Sequence, residues 1–183
     1  LDMARWMQDK GPGIDRFLYF STDEVFGPAP ADTRYAEWDR YNSGNPYSAS
    51  KAAGEEFVLA YGNTYGLPTI ISHTMNIVGS AQHPEKYIPS TIRKLILGET
   101  VIVHANSSRT QAGSRFYIGA KSVADAVLFL LANGRDHDKY NIVGEKEIDN
   151  LSLAQMIAKM VGKPLKYEMV DFHSSRPGHD LRY

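Results

Sequence analysis

The sequence predicts an α/β protein in which helices cover a parallel sheet. Helical and strand patterns alternate along residues 1–73, in the order helix, strand, helix, strand. Short connections between such elements favour parallel pairing, because each helix returns the chain to the same end of the sheet. A chain of 183 residues, 43% of them hydrophobic, is long enough to bury the core that this arrangement needs.

Each element of the first half is bounded by local signals. Apolar patterns ending at glycine or proline predict a helix at 1–10, a buried strand at 17–21, a helix at 48–65 and a strand at 69–73. Residues 28–46 are polar and contain several prolines, so we expect a long loop there. The second helix has a predicted apolar stripe formed by Ala49, Ala52, Ala53, Phe57, Ala60 and Tyr61.

The sequence of the second half predicts a smaller part that contains both helices and strands. We place its boundary with the first part near residue 80. Its predicted helices are one with the stripe Ile88, Ile92, Leu95 and Ile96 ending at Gly98, one at 122–133 capped by Ser122, and one starting at Ser152 and ending at Gly162. Its predicted strands are 101–104, 139–143 and 166–170, and residues 105–114 form a polar loop.

The composition excludes several classes of function. A formal net charge of −1 offers no electrostatic basis for binding nucleic acid or an anionic membrane. The sequence contains no cysteine, which excludes disulfides, thiolate zinc sites and a cysteine nucleophile. No apolar run approaches the ~20 residues of a membrane-spanning helix. The six histidines lack H-x-x-x-H spacing, so we expect no metal site.

Tyr47 and Lys51 form the first candidate catalytic pair. They are four residues apart at the start of a predicted helix, so they lie on one face of it. A free phenol titrates near about 10, and an ammonium group nearby favours the phenolate and lowers the pKa. A tyrosine in that setting can act as a base at neutral pH. An ordinary amphipathic helix can contain the same spacing by chance. The surrounding motifs must therefore distinguish a catalytic pair from an incidental tyrosine and lysine.

Three polar residues, Thr22, Asp23 and Glu24, directly follow the predicted strand at 17–21. Adjacent side chains of an extended strand point to opposite faces, so both acids serve one site only if the backbone bends here. The carboxyl end of a strand in such a sheet is where ligands bind. Without Tyr47 and Lys51, an exposed acidic turn would explain these residues equally well.

These motifs, taken together, resemble a known family. STDEVFG at 21–27 followed by YSASKA at 47–52 is similar to the NAD-dependent epimerase/dehydratase family of extended short-chain dehydrogenase/reductases. Within it, the sequence looks most like the nucleotide-sugar 4,6-dehydratases, such as those acting on dTDP-glucose. Further matches follow in the same order along nearly the whole chain: Asn76–Gly79, Pro84–Pro89, Arg115, Tyr140–Ile142, Asn150 and Arg176–Tyr183.

The resemblance implies a partial Rossmann-like, doubly wound parallel sheet with a smaller α+β substrate-binding part. Residues 1–79 would be the C-terminal half of an NAD-binding domain and carry the catalytic residues, and residues 80–183 would mostly bind substrate. The family's G-x-x-G-x-x-G fingerprint is absent from the sequence, so we expect the first half of that domain to precede Leu1 in a longer protein. Four departures from the family pattern are His73 in place of arginine, Phe26 in place of tyrosine, Phe116-Tyr117 in place of Asp-Trp, and a longer loop at 105–114.

The resemblance also implies a reaction in which NAD is reduced and then reoxidised. Tyr47 would take the proton from the sugar O4 as hydride leaves C4, with Thr22 bonded to the same hydroxyl. Lys51 would hold the nicotinamide ribose. Glu24 would then remove the C5 proton, and Asp23 would protonate the departing 6-hydroxyl. This elimination needs one carboxyl ionised and one protonated, and two neighbouring acids resist ionising together.

Six further residues match family positions that bind the substrate's diphosphate, nucleotide or neighbouring backbone: Asn76, Lys86, Arg115, Asn150, Arg176 and His179. Asn76 also matches a cofactor-binding position, together with Tyr47 and Lys51. Arginine suits diphosphate through its planar fork, whereas Asn150, just before a predicted helix, would also serve as an ordinary cap.

Two other functions remain open at this point. One is a nucleotide-sugar epimerase or decarboxylase of the same superfamily, although these usually lack the full Thr-Asp-Glu run. The other is a non-catalytic fragment that binds a nucleotide sugar, motivated by the absent fingerprint. The expected partner is a nucleoside-diphosphate hexose, the expected location is the cytoplasm, and a homodimer is left open because family members often form one.

Overall fold

The computed structural model describes residues 1–178 and 180–183. Its helices are α1 (Asp2–Lys10), α2 (Pro46–Tyr65), α3 (Tyr87–Leu97), α4 (Ala120–Asn133), α5 (Asn150–Val161) and α6 (Phe172–Ser175). Its strands are β1 (Phe17–Thr22), β2 (Thr69–Thr74), β3 (Asn76–Val78), β4 (Val101–Ala105), β5 (Ser114–Gly119), β6 (Asp138–Ile142), β7 (Glu147–Asp149) and β8 (Tyr167–Asp171). A 3-10 helix, Asp23–Phe26, follows β1 directly.

The chain divides into two compact units. The first unit comprises Leu1–Met75 and Lys121–Val143, and the second comprises Asn76–Ala120 and Gly144–Tyr183. The chain first passes from one unit to the other between Met75 and Asn76, whereas the sequence predicted one boundary near residue 80. The segment Lys121–Val143 then returns to the first unit. This return supplies β6, a strand that the sheet of the first unit needs.

The first unit is built on a parallel sheet with the strand order β1-β2-β6. Thr22 pairs with Thr74 across β1 and β2, and Thr74 pairs with Ile142 across β2 and β6. Because the strands are parallel and in this register, their carboxyl ends lie at the same edge of the sheet. The α/β prediction and the predicted parallel pairing are confirmed.

Strand β1 is less buried than its apolar sequence predicts. Its buried side chains are Ser21 and Thr22, at its end, whereas Phe20 is 44% exposed. Among the described residues β1 pairs only with β2, so it lies at an edge of the sheet. The central strand β2 is buried along its whole length, including Ile70 and Ile71. Burial thus follows position in the sheet more than local hydrophobicity.

Helix α2 buries a different face from the one its apolar stripe predicts. Its buried residues are Ser48, Glu55, Val58 and Gly62, while Phe57 of the predicted stripe is 63% exposed. The prediction of the buried face is therefore wrong, although the helix itself is confirmed. The physical reason is that polar groups supplied by the sheet hold Glu55 in the interior.

Glu55 is the centre of a buried polar cluster. Ser21 of β1 donates to Glu55 Oε1, and Tyr41 of the loop before α2 donates to Oε2. His73 Nε2 of β2 lies 3.1 Å from Oε2, and Lys139 Nζ of β6 lies 3.3 Å from it. Glu55 is fully buried, and His73 and Lys139 are 1% and 6% exposed. One carboxylate on α2 therefore bonds to all three strands of the sheet.

The ring of His73 is held between two acceptors. Asn141 donates from Nδ2 to the carbonyl of Tyr35, which turns its Oδ1 towards His73 Nδ1 at 3.1 Å. The other nitrogen, Nε2, faces Glu55, so each ring nitrogen lies within hydrogen-bond distance of a side-chain oxygen. Burial raises the pKa of Glu55, but hydrogen bonds from His73, Ser21 and Tyr41 outweigh it and leave the pKa below its usual range.

The second unit contains two smaller sheets. Strand β5 pairs in parallel with β3 and antiparallel with β7, and β4 pairs in parallel with β8. Its apolar clusters centre on Leu95, Ile157 and Ala158 and on Val101, Val103 and Ala154. Strands β3, β5 and β7 were not predicted, because β3 and β7 are three residues long and β5 carries polar side chains.

Two predicted helix starts are wrong by two residues. Helix α4 begins at Ala120, so Ser122 lies inside it. Helix α5 begins at Asn150, and Asp149 is the cap, its side chain accepting from the backbone nitrogen of Ser152 at 2.8 Å. Among the described helices none combines the length and apolarity needed to cross a membrane.

Replacing Glu55 by glutamine tests the buried cluster. Glu55→Gln leaves the buried ammonium group of Lys139 without its carboxylate partner, so we expect the free energy of unfolding to fall by about 3–5 kcal/mol. Both tryptophans, Trp6 and Trp38, lie in the first unit, so their fluorescence during urea unfolding reports on it. The neighbouring, exposed Glu56 provides the control, and Glu56→Gln should stay within about 0.5 kcal/mol of wild type. Equal effects of the two substitutions would contradict the role given to Glu55.

Replacing Asp149 tests the cap of α5. Asp149→Ala should lower the stability of the second unit by about 1 kcal/mol, whereas Asp149→Asn keeps the acceptor and most of the stability. Burial raises the pKa of Asp149, but hydrogen bonds from Ser152 and neighbouring amides lower it overall. The contribution is thus present above the unfolded-state pKa, about 3.9, and is lost as the pH falls through the lower folded-state pKa. Denaturant unfolding followed by circular dichroism at several pH values measures both effects, and an Asp149→Ala variant as stable as wild type at pH 7 would contradict the assignment.

Candidate active site

The candidate site of the first unit forms where β1 ends and α2 begins. The strand ends at Thr22, and the next residues turn into the 3-10 helix that contains Asp23 and Glu24. The expected bend after the strand is therefore present. Helix α2 packs on β1, on β2 and on this 3-10 helix, which brings its first turns towards the acids.

Helix α2 starts with a capping box. Asn45 accepts from the backbone nitrogen of Ser48 at 2.9 Å, and the Ser48 hydroxyl lies 3.3 Å from the backbone nitrogen of Asn45. Pro46 occupies the first turn, where its missing N–H costs no helical hydrogen bond. These local signals position Tyr47 in the first turn and Lys51 one turn later.

Thr22 connects the acids to the tyrosine. Its hydroxyl lies 3.2 Å from Asp23 Oδ1, accepts from the backbone nitrogen of Glu24 at 3.3 Å, and hydrogen-bonds with Tyr47. A hydroxyl carries a single hydrogen, so it donates to Asp23 or to Tyr47 at any one time. Thr22, Asp23, Glu24 and Tyr47 therefore form one interacting group.

The pKa of Tyr47 moves in the opposite direction from the sequence-based expectation. Burial raises it, and the negative charges of Glu24 and Asp23 raise it further, while the hydrogen bond from Thr22 lowers it. The prediction that Lys51 lowers the pKa of Tyr47 is wrong for this arrangement. The reason is that the two acids act on the phenol, whereas the ammonium group of Lys51 is directed elsewhere.

Lys51 is held against strand β1. Its Nζ donates to the carbonyl of Phe20 at 2.5 Å and lies 4.7 Å from the centre of the Tyr19 ring. The close approach of helix and strand depends on Gly54, because a Cβ there would lie 2.1 Å from the Tyr19 hydroxyl. Lys51 and Tyr47 both remain partly exposed and can reach a bound molecule.

These donors fit one end of a dinucleotide. A phenol, an ammonium and a hydroxyl close to the carboxyl end of a parallel strand match the hydroxyls and amide of a nicotinamide riboside. A pyrophosphate needs backbone N–H groups of a glycine turn at a helix N-terminus, and the sequence contains no G-x-x-G-x-x-G for that end. The fit of NAD to the described residues is therefore to its nicotinamide end.

Three of the predicted substrate-binding residues of the second unit surround Tyr117. Asn76 is exposed on β3 and pairs in register with Tyr117 of β5. Asn150 Oδ1 accepts from the Tyr117 hydroxyl at 3.0 Å, and its backbone carbonyl accepts from Tyr87 at 2.6 Å. Burial raises the pKa of Tyr117 to about 12, and the charge of Arg115 opposes this rise.

Arg115 binds the C-terminal segment of the second unit. Its guanidinium donates to the carbonyls of Leu181 at 2.6 Å and Asp180 at 2.7 Å, and it lies 4.6 Å from the centre of the Tyr183 ring. Arg182 of the same segment forms a two-pronged ion pair with Glu147. The guanidinium of Arg115, predicted to bind the substrate's diphosphate, its nucleotide or neighbouring backbone, here binds backbone carbonyls.

The remaining predicted substrate residues are less connected. Lys86 is exposed and precedes α3, and Arg176 is exposed and follows α6. His179 lies outside the described residues. Within the described part of the chain, no group of three or more histidine, aspartate or glutamate side chains is arranged to hold a metal ion.

Sequence reasoning missed the residues that support the catalytic candidates. Asn45, Tyr41, Glu55 and Lys139 received no role, and His73 was noted only as a departure from the family pattern. For Asn45 a signal existed, because asparagine before proline with serine three residues later is typical of a helix start. The other residues have no local signal, since their partners are distant in sequence.

Comparisons with known proteins agree with this geometry. Residues 1–143 match the sequence profile of the NAD dependent epimerase/dehydratase family. A dTDP-glucose 4,6-dehydratase from Xanthomonas campestris is 35% identical over 176 residues, covering 92% of this chain and 49% of that protein. A trifunctional protein from Arabidopsis thaliana, whose name includes UDP-glucose 4,6-dehydratase, is 36% identical over 172 residues, covering 93% of this chain and 25% of that protein.

Solved structures lead to the same family. The crystal structure of dTDP-glucose 4,6-dehydratase from Bacillus anthracis in complex with NAD has a TM-score of 0.85 at 30% identity, covering 98% of this chain and 55% of that one. The chain thus spans about half the length of this protein and of the Xanthomonas relative. Because the family profile covers most of the chain and the fold agrees, the chain belongs to the NAD-dependent epimerase/dehydratase family.

Proposed function

We propose that this chain carries the catalytic part of an NAD-dependent nucleotide-sugar 4,6-dehydratase, a lyase that acts on a nucleoside-diphosphate hexose. The observation that carries the proposal is the interacting group of Thr22, Asp23, Glu24 and Tyr47 at the carboxyl end of β1. A dehydratase needs a base for a hydroxyl proton, a second base for a C–H proton, and an acid for the leaving hydroxyl. This group offers a residue for each.

The first step removes hydrogen from C4 of the hexose. Tyr47 takes the proton from the 4-hydroxyl, and Thr22 bonds to the same oxygen and fixes its orientation. Lys51 binds ribose hydroxyls next to Tyr47. Bound NAD would supply the hydride acceptor for C4 and the hydride donor for C6. The resulting 4-keto group acidifies the proton on C5.

The second step eliminates water across C5 and C6. Glu24 removes the C5 proton, and the electrons of that C–H bond form the double bond between C5 and C6. The C6–O6 bond breaks as Asp23 protonates the departing oxygen, which leaves as water. Bound NAD would return the hydride to C6, and Glu24 gives its proton back to C5, so the 4-keto-6-deoxy sugar would form without net consumption of cofactor.

The Thr-Asp-Glu run also favours this function over the others. An epimerase that only oxidises and re-reduces C4 needs Tyr47, Thr22 and Lys51 but no acid–base pair for C5 and O6. A chain that binds a nucleotide sugar without catalysis needs none of these charges next to a half-exposed tyrosine. In the second unit, the residues around Tyr117 and Arg115 are the proposed substrate-binding surface. A cytoplasmic location accompanies the proposal as an expectation, and a homodimer stays open.

The function is tested by product formation. The full-length protein, supplied with NAD and either dTDP-glucose or UDP-glucose, should release a 4-keto-6-deoxy sugar that gives the base-dependent absorbance of such ketones. Relatives named for each nucleotide motivate both substrates. Tyr47→Phe should abolish the product, because C4 oxidation precedes water loss. Absence of product with every nucleoside-diphosphate hexose would reject the dehydratase function.

Glu24→Gln separates the two steps. Removal of the C5 base should slow water loss by about 10²–10⁴-fold while C4 oxidation continues, so reduced cofactor should accumulate transiently. The substitution also removes a negative charge that raises the pKa of Tyr47, so that pKa should fall and C4 oxidation should reach its alkaline plateau at lower pH. Stopped-flow absorbance across pH 6–10 measures both effects, the second as faster C4 oxidation on the rising side of the pH profile, with Glu56→Gln as the charge-matched control. Equal loss of both steps would show that Glu24 is not the C5 base.

A further inference from the structure

Asn45 contacts both catalytic elements of the first unit. Its side-chain oxygen accepts from the backbone nitrogen of Ser48 at 2.9 Å and so caps α2. Its side-chain nitrogen donates to Glu24 Oε2 at 3.1 Å. The residue is 8% exposed, so water competes little for either bond. One short amide thus spans from the helix of Tyr47 to the 3-10 helix of Glu24.

The two ends of the amide are not interchangeable. Only the carbonyl oxygen can accept from the backbone N–H of Ser48, so the NH₂ group is left to face the carboxylate. Serine, threonine and aspartate cap helices as well as asparagine does, but none of them offers an acceptor and an N–H donor on one rigid group. Capping alone would accept any of these residues, whereas the bond to Glu24 uses the amide NH₂ that only asparagine adds to the cap.

We propose that Asn45 is a positioning residue that holds the carboxylate of Glu24 in fixed register with Tyr47. The inference rests on the proposed function, in which these two side chains accept protons from neighbouring groups of one sugar, the 4-hydroxyl and C5. Two bases that act in succession on one bound sugar must keep their separation, because a misplacement of about 1 Å costs up to about 10²-fold in rate. Asn45 joins the two bases, because it caps the first turn of α2, which contains Tyr47, and donates a hydrogen bond to Glu24.

Asn45→Asp is the informative substitution. Aspartate keeps the oxygen that caps α2, but it replaces the N–H donor by a second carboxylate oxygen beside Glu24. Loss of a hydrogen bond to a charged group should slow water loss about 10- to 100-fold. The added negative charge also slows C4 oxidation through the pKa of Tyr47, but this step should be slowed less than water loss, so reduced cofactor should accumulate and kcat should fall with little change in KM. Asn45→Ser, which keeps a cap and adds no charge, is the second variant and should give the same split.

Ser48→Ala is the matched control for capping. It removes the Ser48 hydroxyl, which accepts from the backbone nitrogen of Asn45, and it leaves the contact between the Asn45 side chain and Glu24 in place. Both reaction steps should change by the same small factor in this variant. If Ser48→Ala slows water loss selectively, or if Asn45→Asp slows both steps equally, Asn45 acts only as a helix cap and the inference is overturned.

A second readout does not depend on activity. In Asn45→Asp, the additional Glu24→Gln substitution supplies a new N–H donor facing the aspartate, so the double variant should melt at a higher temperature than Asn45→Asp alone. Additive melting shifts would show that the two side chains are not coupled and would overturn the inference. A different result is also informative. If the melting shifts of the variants are coupled but the wild-type protein forms no 4-keto product, the proposed function is rejected, and with it the catalytic role of the contact.

Discussion

The bonds of Glu55 are the constraint on which the first unit depends. This single carboxylate on α2 receives hydrogen bonds or charge from β1, β2, β6 and the loop before the helix. A buried carboxylate without partners costs several kcal/mol, so the helix is stable in one orientation relative to the sheet, the one that satisfies all of them. Tyr47 and Lys51 lie on the same helix, eight and four residues before Glu55. Their position at the end of β1 follows from a charge buried two turns away.

The elements of the fold could largely be predicted from the sequence, and the faces they bury could not. Glycine and proline signals bound α1 and α2 within two residues, because these signals act locally. The buried face of α2 depends instead on Ser21, His73 and Lys139, whose positions near Glu55 arise only when the sheet assembles. A pattern of apolar residues therefore assigned Phe57 to the wrong side of the helix. Strand β5 escaped prediction for a related reason, since its partners β3 and β7 come from distant segments.

In the candidate site too, features set by the local sequence could be predicted, and features set by distant residues could not. The spacing of Tyr47 and Lys51 and the bend after Thr22 follow from local geometry. The pKa of Tyr47 does not, because Glu24 and Asp23 approach the phenol only in the folded chain. Arg115 likewise has the expected position on its strand but binds carbonyls of residues 180 and 181. His73, at a position where the family usually carries arginine, places one ring nitrogen near Asn141 and the other near Glu55.

The return of Lys121–Val143 to the first unit has a consequence for how the protein is made. The five residues of the buried cluster are spread from Ser21 to Lys139, so on the ribosome the catalytic tyrosine and lysine are synthesised long before the strand that completes their support. Contacts of such sequence separation form slowly. Until β6 has emerged and docked, the nascent chain carries Glu55 and His73 without Lys139. A chain halted by a stop codon before Lys139 would therefore contain every proposed catalytic residue and lack the strand and the ammonium group that complete their support.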